Sequence, residues 1–320
     1  MSIFIRKEGI LSTLQDLGRD GFRNLGINRN GAMDKTAVRL INNLLGNDET
    51  EAVLEIYFPA PEILFEEDAG FALGGGDFDA KLNNTKLENW KLYFAEKESV
   101  LKFVGKTFGN CTYLSVRGGF KIKKWLGSAS TNLTAEIGGF SGRKLQKFDR
   151  LNFNQKTIDK KQKSDYKISN SLTSFYSRFP IVRVVAGAEF ELLTALSENA
   201  FLRQDFAVTQ NSNRMGFRLE GEPINLLHKK ELVSSAVSFG TIQLLPDGQI
   251  IILMADHQTS GGYPRIANVV EIDLPLVAQL GINDKIAFRL ISLGEAENLI
   301  LQSEFELNRL KFGIKTKLHK

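Results

Sequence analysis

The chain has 320 residues, 42% of them apolar and 24% charged, which is the balance of a globular protein with room for one large or two medium domains. A single cysteine, Cys111, excludes an internal disulfide and fits a reducing compartment, and no apolar run approaches the ~18 residues of a membrane helix. The net charge of +4 comes from two stretches, five lysines against two aspartates in 156–167 and five basic residues against one glutamate from 305 onward, so it reads as solvated segments rather than a nucleic-acid surface.

From the N-terminus, Met1 to Leu11 carries Arg6, Lys7 and Glu8 without an apolar stretch or cleavage site, so no secretory signal is expected and a cytoplasmic location is. Asp34 is placed to cap a helix in which Ala37, Leu40, Ile41, Leu44 and Leu45 follow at helical spacing until Gly46. Short β-branched or apolar runs bounded by Gly, Pro, Asn or Asp then predict strands at 52–58, 71–73, 100–104 and 113–116. Asn154 to Ser177 is polar and lysine- and serine-rich, and hydrophobic periodicity stops there. It divides an N-terminal lobe (1–160) from a C-terminal lobe (178–320) with a polar linker at 161–177. Beyond it, strands are expected at 182–185, 250–254 and 285–291, a short helix from Leu274 to Gln279 opening at Pro275, and a helix over about 295–310. Helical periodicity is scarce, so the fold class is mainly β, in barrels or sandwiches.

Several chemistries are absent from the sequence. There is no phosphate-binding loop of the Gly-x-x-x-x-Gly-Lys-Ser/Thr type, no Gly-x-Ser-x-Gly elbow for a serine hydrolase, and no methionine flanking a lysine as biotin attachment requires. Three histidines and one cysteine make a zinc centre improbable, and no metal is expected. If nucleotide such as ATP, or biotin, is used, another subunit would carry it.

Two polar loops carry the candidate chemistry. Asp256-His257-Gln258-Thr259-Ser260-Gly261-Gly262-Tyr263-Pro264 follows an apolar strand, so its polar groups gather at a strand end. The paired glycines allow close backbone approach, and their N–H groups can receive an oxyanion or carboxylate. Asp256, Gln258 and Tyr263 are the catalytic candidates; Thr259, Gly261 and Gly262 are candidates for binding. The bland alternative is a glycine turn in which Asp256 and Thr259 satisfy the backbone. In Gln210 to Gly216, Asn211, Asn213 and Arg214 are further binding candidates, since an arginine can grip a carboxylate bidentately; an Asx-rich loop with a surface arginine is the alternative. Elsewhere, Asp16 and Arg19 read as a mutual pair. Glu55 is either solvent-facing or an interior carboxylate needing a partner. The hydroxyl-rich stretch Ser128 to Thr131 either lines a pocket, with Thr131 binding, or merely turns.

Taken in order, Thr13-x-Gln15-Asp16-Leu17-Gly18-Arg19, Gly31-Ala32-Met33-Asp34, Leu54-Glu55, Gly75-Gly76-Asp77, Gly127-Ser128-x-Ser130-Thr131, Asn213-Arg214-Met215-Gly216 and Gln258-Thr259-x-Gly261-Gly262-Tyr263-Pro264 resemble the allophanate hydrolase subunit 2 (KipA-like, carboxyltransferase) family. The motifs run from about residue 10 to residue 290. Ala129, Asn132 and Ser234-Ser235-Ala236 stand where the family usually has arginine, an aromatic and Ser-Glu-Gly, so the ligand can differ from the family norm.

The resemblance implies two cyclophilin-like β-barrel lobes with a few short helices. It implies a KipI-like (allophanate hydrolase subunit 1-like) partner, and allows a third LamB/YcsF-like one. A stand-alone chain fits one subunit of an ATP-dependent 5-oxoprolinase that opens the lactam 5-oxoproline to glutamate. In that reading Gly261, Gly262 and Gln258 stabilise the lactam or a phosphorylated intermediate, Arg214 takes the substrate carboxylate, and Asp256 or Tyr263 moves a proton. The alternatives are a carboxyltransferase component of a biotin-dependent, urea carboxylase-type system, and a non-catalytic KipA-like regulator of a sensor-kinase inhibitor.

Overall fold

The computed structural model describes residues 1–154, 166–173, 176–228 and 232–318. Of the expected linker, residues 161–165 and 174–175 lie outside this set, as do Lys320 and the side chains of Lys315 and Lys317 in the basic C-terminal stretch. The chain is mainly β with four α-helices among the described residues. It forms two compact units that are not contiguous in sequence. One comprises Met1–Arg19, Asn30–Phe175 and Glu306–Lys320; the other comprises Asp20–Arg29 and Tyr176–Phe305. No helix among the described residues is long and apolar enough to cross a membrane.

In the first unit, a six-stranded sheet runs in the order Arg150–Asn152, Ser2–Lys7, Glu62–Phe65, Val100–Phe103, Ala80–Leu82, Thr85–Lys86. A five-stranded sheet runs Ser12–Gln15, Val53–Tyr57, Phe108–Val116, Ala69–Asp77, Leu92–Ala95. Ser2–Lys7 alternates as a half-buried strand should, burying Ile3 and Ile5. These residues join Ile63 and Phe65 of the same sheet, and Leu54, Ile56, Phe71, Leu73, Leu114 and Val116 of the other, in one core. Each such side chain contributes roughly 1.5–3 kcal/mol by leaving water.

Ala69–Asp77 is buried along almost its whole length because α1 (Lys35–Leu44) also packs against it. Asp34 caps α1 by accepting from the Ala37 amide, as the sequence predicts. The helix lies close to the glycine-rich strand. A Cβ on Gly74 would fall 2.6 Å from both Ile41 Cγ2 and Trp90 Cζ3, which is the reason for a glycine at that position.

In the second unit seven strands close into a barrel: Ile181–Ala186, Arg265–Val269, Thr241–Leu244, Ile250–Leu253, Gly216–Glu220, Phe206–Val208 and Lys285–Leu290, the last pairing in parallel with the first. The barrel implied for both lobes closes here, whereas the first unit distributes its strands over two sheets. Helix α2 (Ala195–Arg203) is capped by Thr194 and lays Phe201 on Phe288 of the barrel, with ring centroids 4.9 Å apart. Its sequence gives little sign of a helix because only Ser197 and Phe201 are buried. Helix α3 (Leu274–Ala278) carries Pro275 in its first turn. Helix α4 (Leu293–Leu318), longer than expected, tucks Ala296 against Val270 and Ile291.

Candidate active site

The strand Ile250–Leu253 runs through the barrel wall, and Met254 and Ala255 stay buried before Asp256 emerges. The two expected polar loops meet there. Arg214, 7% exposed, donates from Nε to Asp256 Oδ2 at 2.8 Å and from Nη2 to Asp256 Oδ1 at 3.0 Å. The backbone repeats the junction: the Asp256 amide donates to the Arg214 carbonyl at 2.8 Å and the Met254 amide to the Met215 carbonyl at 3.0 Å. The Nε–Nη2 edge of the Arg214 guanidinium meets Asp256 and joins the two loops. Bidentate geometry of this kind is among the stronger polar contacts available to a side chain.

Asn213 is exposed and turns back on its own loop, its Oδ1 accepting from the Met215 amide; Asn211 is exposed. His257 is buried, with Nδ1 against the Gln258 carbonyl, which makes it part of the loop's scaffold. Gln258 and Thr259 are half-buried. Ser260–Gly261 pairs with Ser235–Ala236 as a short ribbon, leaving Gly262 and Tyr263 exposed, the latter by 45%. Arg214, Asp256, Gln258 and Thr259 follow the Leu253 end of the barrel wall, while Gly261, Gly262 and Tyr263 lead into Arg265, which pairs with Gln243 toward the Ile250 end, so the loop crosses the wall from one end to the other. Thr131 belongs to the first unit, is fully buried, and donates its hydroxyl to the Leu14 carbonyl.

The first unit holds two buried polar clusters of its own. Asp16 does not pair with Arg19 as expected. Its carboxylate accepts from Ser128 Oγ at 2.7 Å, Ser130 Oγ at 2.5 Å, and the amides of Ala129 and Gly18. Arg19, 1% exposed, donates to Asn30 Oδ1 and to the Ser130 carbonyl and lies over the Trp125 ring. The reason is supply: Ser128 and Ser130 offer hydroxyls and an intervening amide to one carboxylate, so the serine-rich stretch turns around Asp16.

Glu55 is interior, and its partners are the Met33 amide, the Tyr113 hydroxyl at 2.8 Å and the Tyr57 hydroxyl at 3.2 Å. Tyr113 has one hydrogen to give, and gives it to Glu55, so the Asp34 amide and the Cys111 thiol, 3.2 Å away, are the donors toward its oxygen. Burial pushes the Tyr113 phenol well above its ordinary value, and Cys111 and Glu55 add to the shift. Among the described residues no group of three or more His, Cys, Asp and Glu could hold a metal ion.

Residues 25–290 match the carboxyltransferase domain family, subdomain A and B. The chain belongs to that family. Among relatives of this carboxyltransferase-family chain, a 5-oxoprolinase subunit of Haemophilus influenzae is 36% identical over 94% of both chains, and the 5-oxoprolinase subunit of the same designation from Escherichia coli is 36% identical over 91% of this chain and 92% of its own. The crystal structure of the K. lactis urea amidolyase superimposes with a TM-score of 0.90 at 27% identity, covering 97% of this chain. This chain spans only 20% of that enzyme's length.

Two residues of the second unit that touch the candidate loop lie outside the motifs legible in the sequence. Asn28 sits in the 20–29 segment that joins the second unit, and Gln243 is a buried polar residue in an otherwise apolar strand. Only the second leaves a local signal, because a glutamine between Ile242 and Leu244 breaks the apolar run of a barrel strand.

Proposed function

We propose that this chain is one subunit of a multi-subunit hydrolase of the 5-oxoprolinase type, which opens 5-oxoproline to glutamate using ATP. The observation that carries this reading is the 36% identity to a 5-oxoprolinase subunit over 94% of both chains. A KipI-like subunit, with or without a third LamB/YcsF-like subunit, would complete the complex and handle ATP.

The site is the loop at 256–263. The amides of Gly261 and Gly262 and the Gln258 carboxamide are donors for a developing oxyanion on the lactam or on a phosphorylated intermediate. Thr259 and Tyr263 bring hydroxyls to the same loop. Both Asp256 oxygens accept from Arg214, so Tyr263 is the proton-bearing group we place against substrate, and Arg214 with Asp256 holds the loop in place. Removing one oxyanion donor typically costs about 10²–10³ in kcat; Gln258→Ala is expected in that range. The assay is ATP-dependent glutamate release with the partner subunits present. Wild-type turnover in Gln258→Ala and Tyr263→Phe would remove the loop from the reaction.

One observation favours a second reading: the 0.90 TM-score with a urea amidolyase fits a carboxyltransferase component acting on biotin carried by another protein. Avidin separates the two, since it would abolish biotin-dependent turnover and leave lactam opening intact.

A further inference from the structure

Two side chains from outside the 256–263 loop reach its ends. Asn28, in the Asp20–Arg29 segment of the second unit, donates from Nδ2 to the carbonyls of Asp256 at 3.0 Å and His257 at 2.8 Å. Gln243, 1% exposed on Thr241–Leu244, donates from Nε2 to the Tyr263 carbonyl at 3.2 Å. All these acceptors are carbonyl oxygens, so in both residues the NH₂ must face the loop. The contact at the second end is close: a Cβ on Gly261 would lie 2.6 Å from Gln243 Nε2, so a larger residue there would push the carboxamide aside. Between the two ends lie Gln258, Thr259, Gly261 and Gly262, the donors that the function proposed above assigns to the ligand.

We propose that Asn28 and Gln243 are positioning residues, a pair of carboxamide clamps that fix the two ends of the Asp256–Tyr263 loop and so present its central donors as one rigid set. The catalytic consequence rests on the function proposed above; the clamp itself does not. Donors aimed at an oxyanion lose their effect when displaced, and a shift of about 1 Å can cost on the order of a hundredfold in rate. At the glycine end the ribbon of Ser260–Gly261 with Ser235–Ala236 is only two residues long, so the Gln243 carboxamide adds a side-chain tie that restricts the conformations open to that end.

The test uses the full-length chain with Asn28→Asp and Gln243→Glu. Each replacement is nearly isosteric but sets a carboxylate oxygen against carbonyl oxygens. At half-buried Asn28 a residue that merely fills space would tolerate it, whereas at buried Gln243 the charge itself also costs stability. Hydrogen exchange in 256–263 is expected to rise about tenfold or more while the barrel strands keep their protection. In the reconstituted complex, kcat/KM for 5-oxoproline is expected to fall about ten- to hundredfold, with KM for ATP unchanged. Wild-type exchange across the loop in both variants would overturn the clamp. If Gln243→Glu lowers the Tm of the whole chain, Asn28→Asp, at a half-buried position, decides instead. If the wild-type complex releases no glutamate, the proposed function fails, and exchange still decides the clamp.

Discussion

Replacing Arg214 with methionine keeps the side chain's apolar length and removes the guanidinium that holds Asp256. The side chains of Arg214 and Asp256 are 7% and 14% exposed, so the pair lies near the buried limit. Breaking a fully buried pair by removing one partner costs roughly 3–5 kcal/mol, because the other charge is left uncompensated; exposed pairs contribute about 0–1 kcal/mol. The residual exposure of Asp256 moves the expectation down to about 2–4 kcal/mol for Arg214→Met, with a similar loss for Asp256→Asn. The double variant leaves neither charge stranded, so it should be more stable than the sum of the single losses by about 1.5–3 kcal/mol. Urea unfolding of the four proteins of the cycle gives the coupling directly. Single losses that simply add, to within about 0.5 kcal/mol, would refute the claim that this pair joins the two loops.

Tyr113→Phe should cost about 1–3 kcal/mol, since it strands the Asp34 amide, the Cys111 thiol and one side of Glu55 in a dry interior; chemical denaturation measures it. The raised Tyr113 phenol means the folded chain holds that proton more tightly than the unfolded chain. Its contribution is therefore complete below about pH 10 and lost as pH climbs through the folded value, and a Tm–pH scan of Tyr113→Phe should lack that alkaline limb.

At acid pH the sign reverses for Asp149. Burial works to raise its carboxyl, but the Arg143 guanidinium and the Gln146 amide outweigh burial and hold it below its ordinary value. Stability from this group is present above about pH 4 and is lost as pH falls below it, and Arg143→Ala should flatten that part of the Tm profile. Gly74→Ala drives a methyl into Ile41 and Trp90, and should cost about 1–3 kcal/mol by overpacking, measurable as a lowered denaturation midpoint.

What could be read from the sequence divides along physical lines. Ile250–Leu253 announces itself as a run of β-branched and apolar residues in a barrel wall, and Lys285–Leu290 by an alternation that buries Ile286 and Phe288. Helix α1 does so because Asp34 caps it and its core face repeats at helical spacing. Helix α2 was not legible: Phe201 carries most of its packing, and one aromatic makes no period. The excursion of residues 20–29 into the second unit depends on contacts such as those of Asn28 with carbonyls more than two hundred residues away, which no local pattern encodes.

At the site, residue types were legible and partners were not. Asp256 and Arg214 stood out singly, but only the fold shows that each is the other's counter-charge. Likewise Asp16 and Arg19 are three residues apart, yet find partners on the Ser128–Ser130 stretch and Asn30. Proximity in sequence suggested a pair; better donors from a distant loop took precedence.

Whether this chain belongs to an ATP-dependent lactam hydrolase is tested most directly by purifying it with its subunit 1-like partner and the remaining subunits, then measuring glutamate formed from 5-oxoproline. Release is expected to require ATP, to persist with avidin present, and to fall about 10²–10³-fold in Gln258→Ala. Release unaffected by that substitution, or none from the complete complex while biotin-dependent carboxyl transfer proceeds, would contradict it.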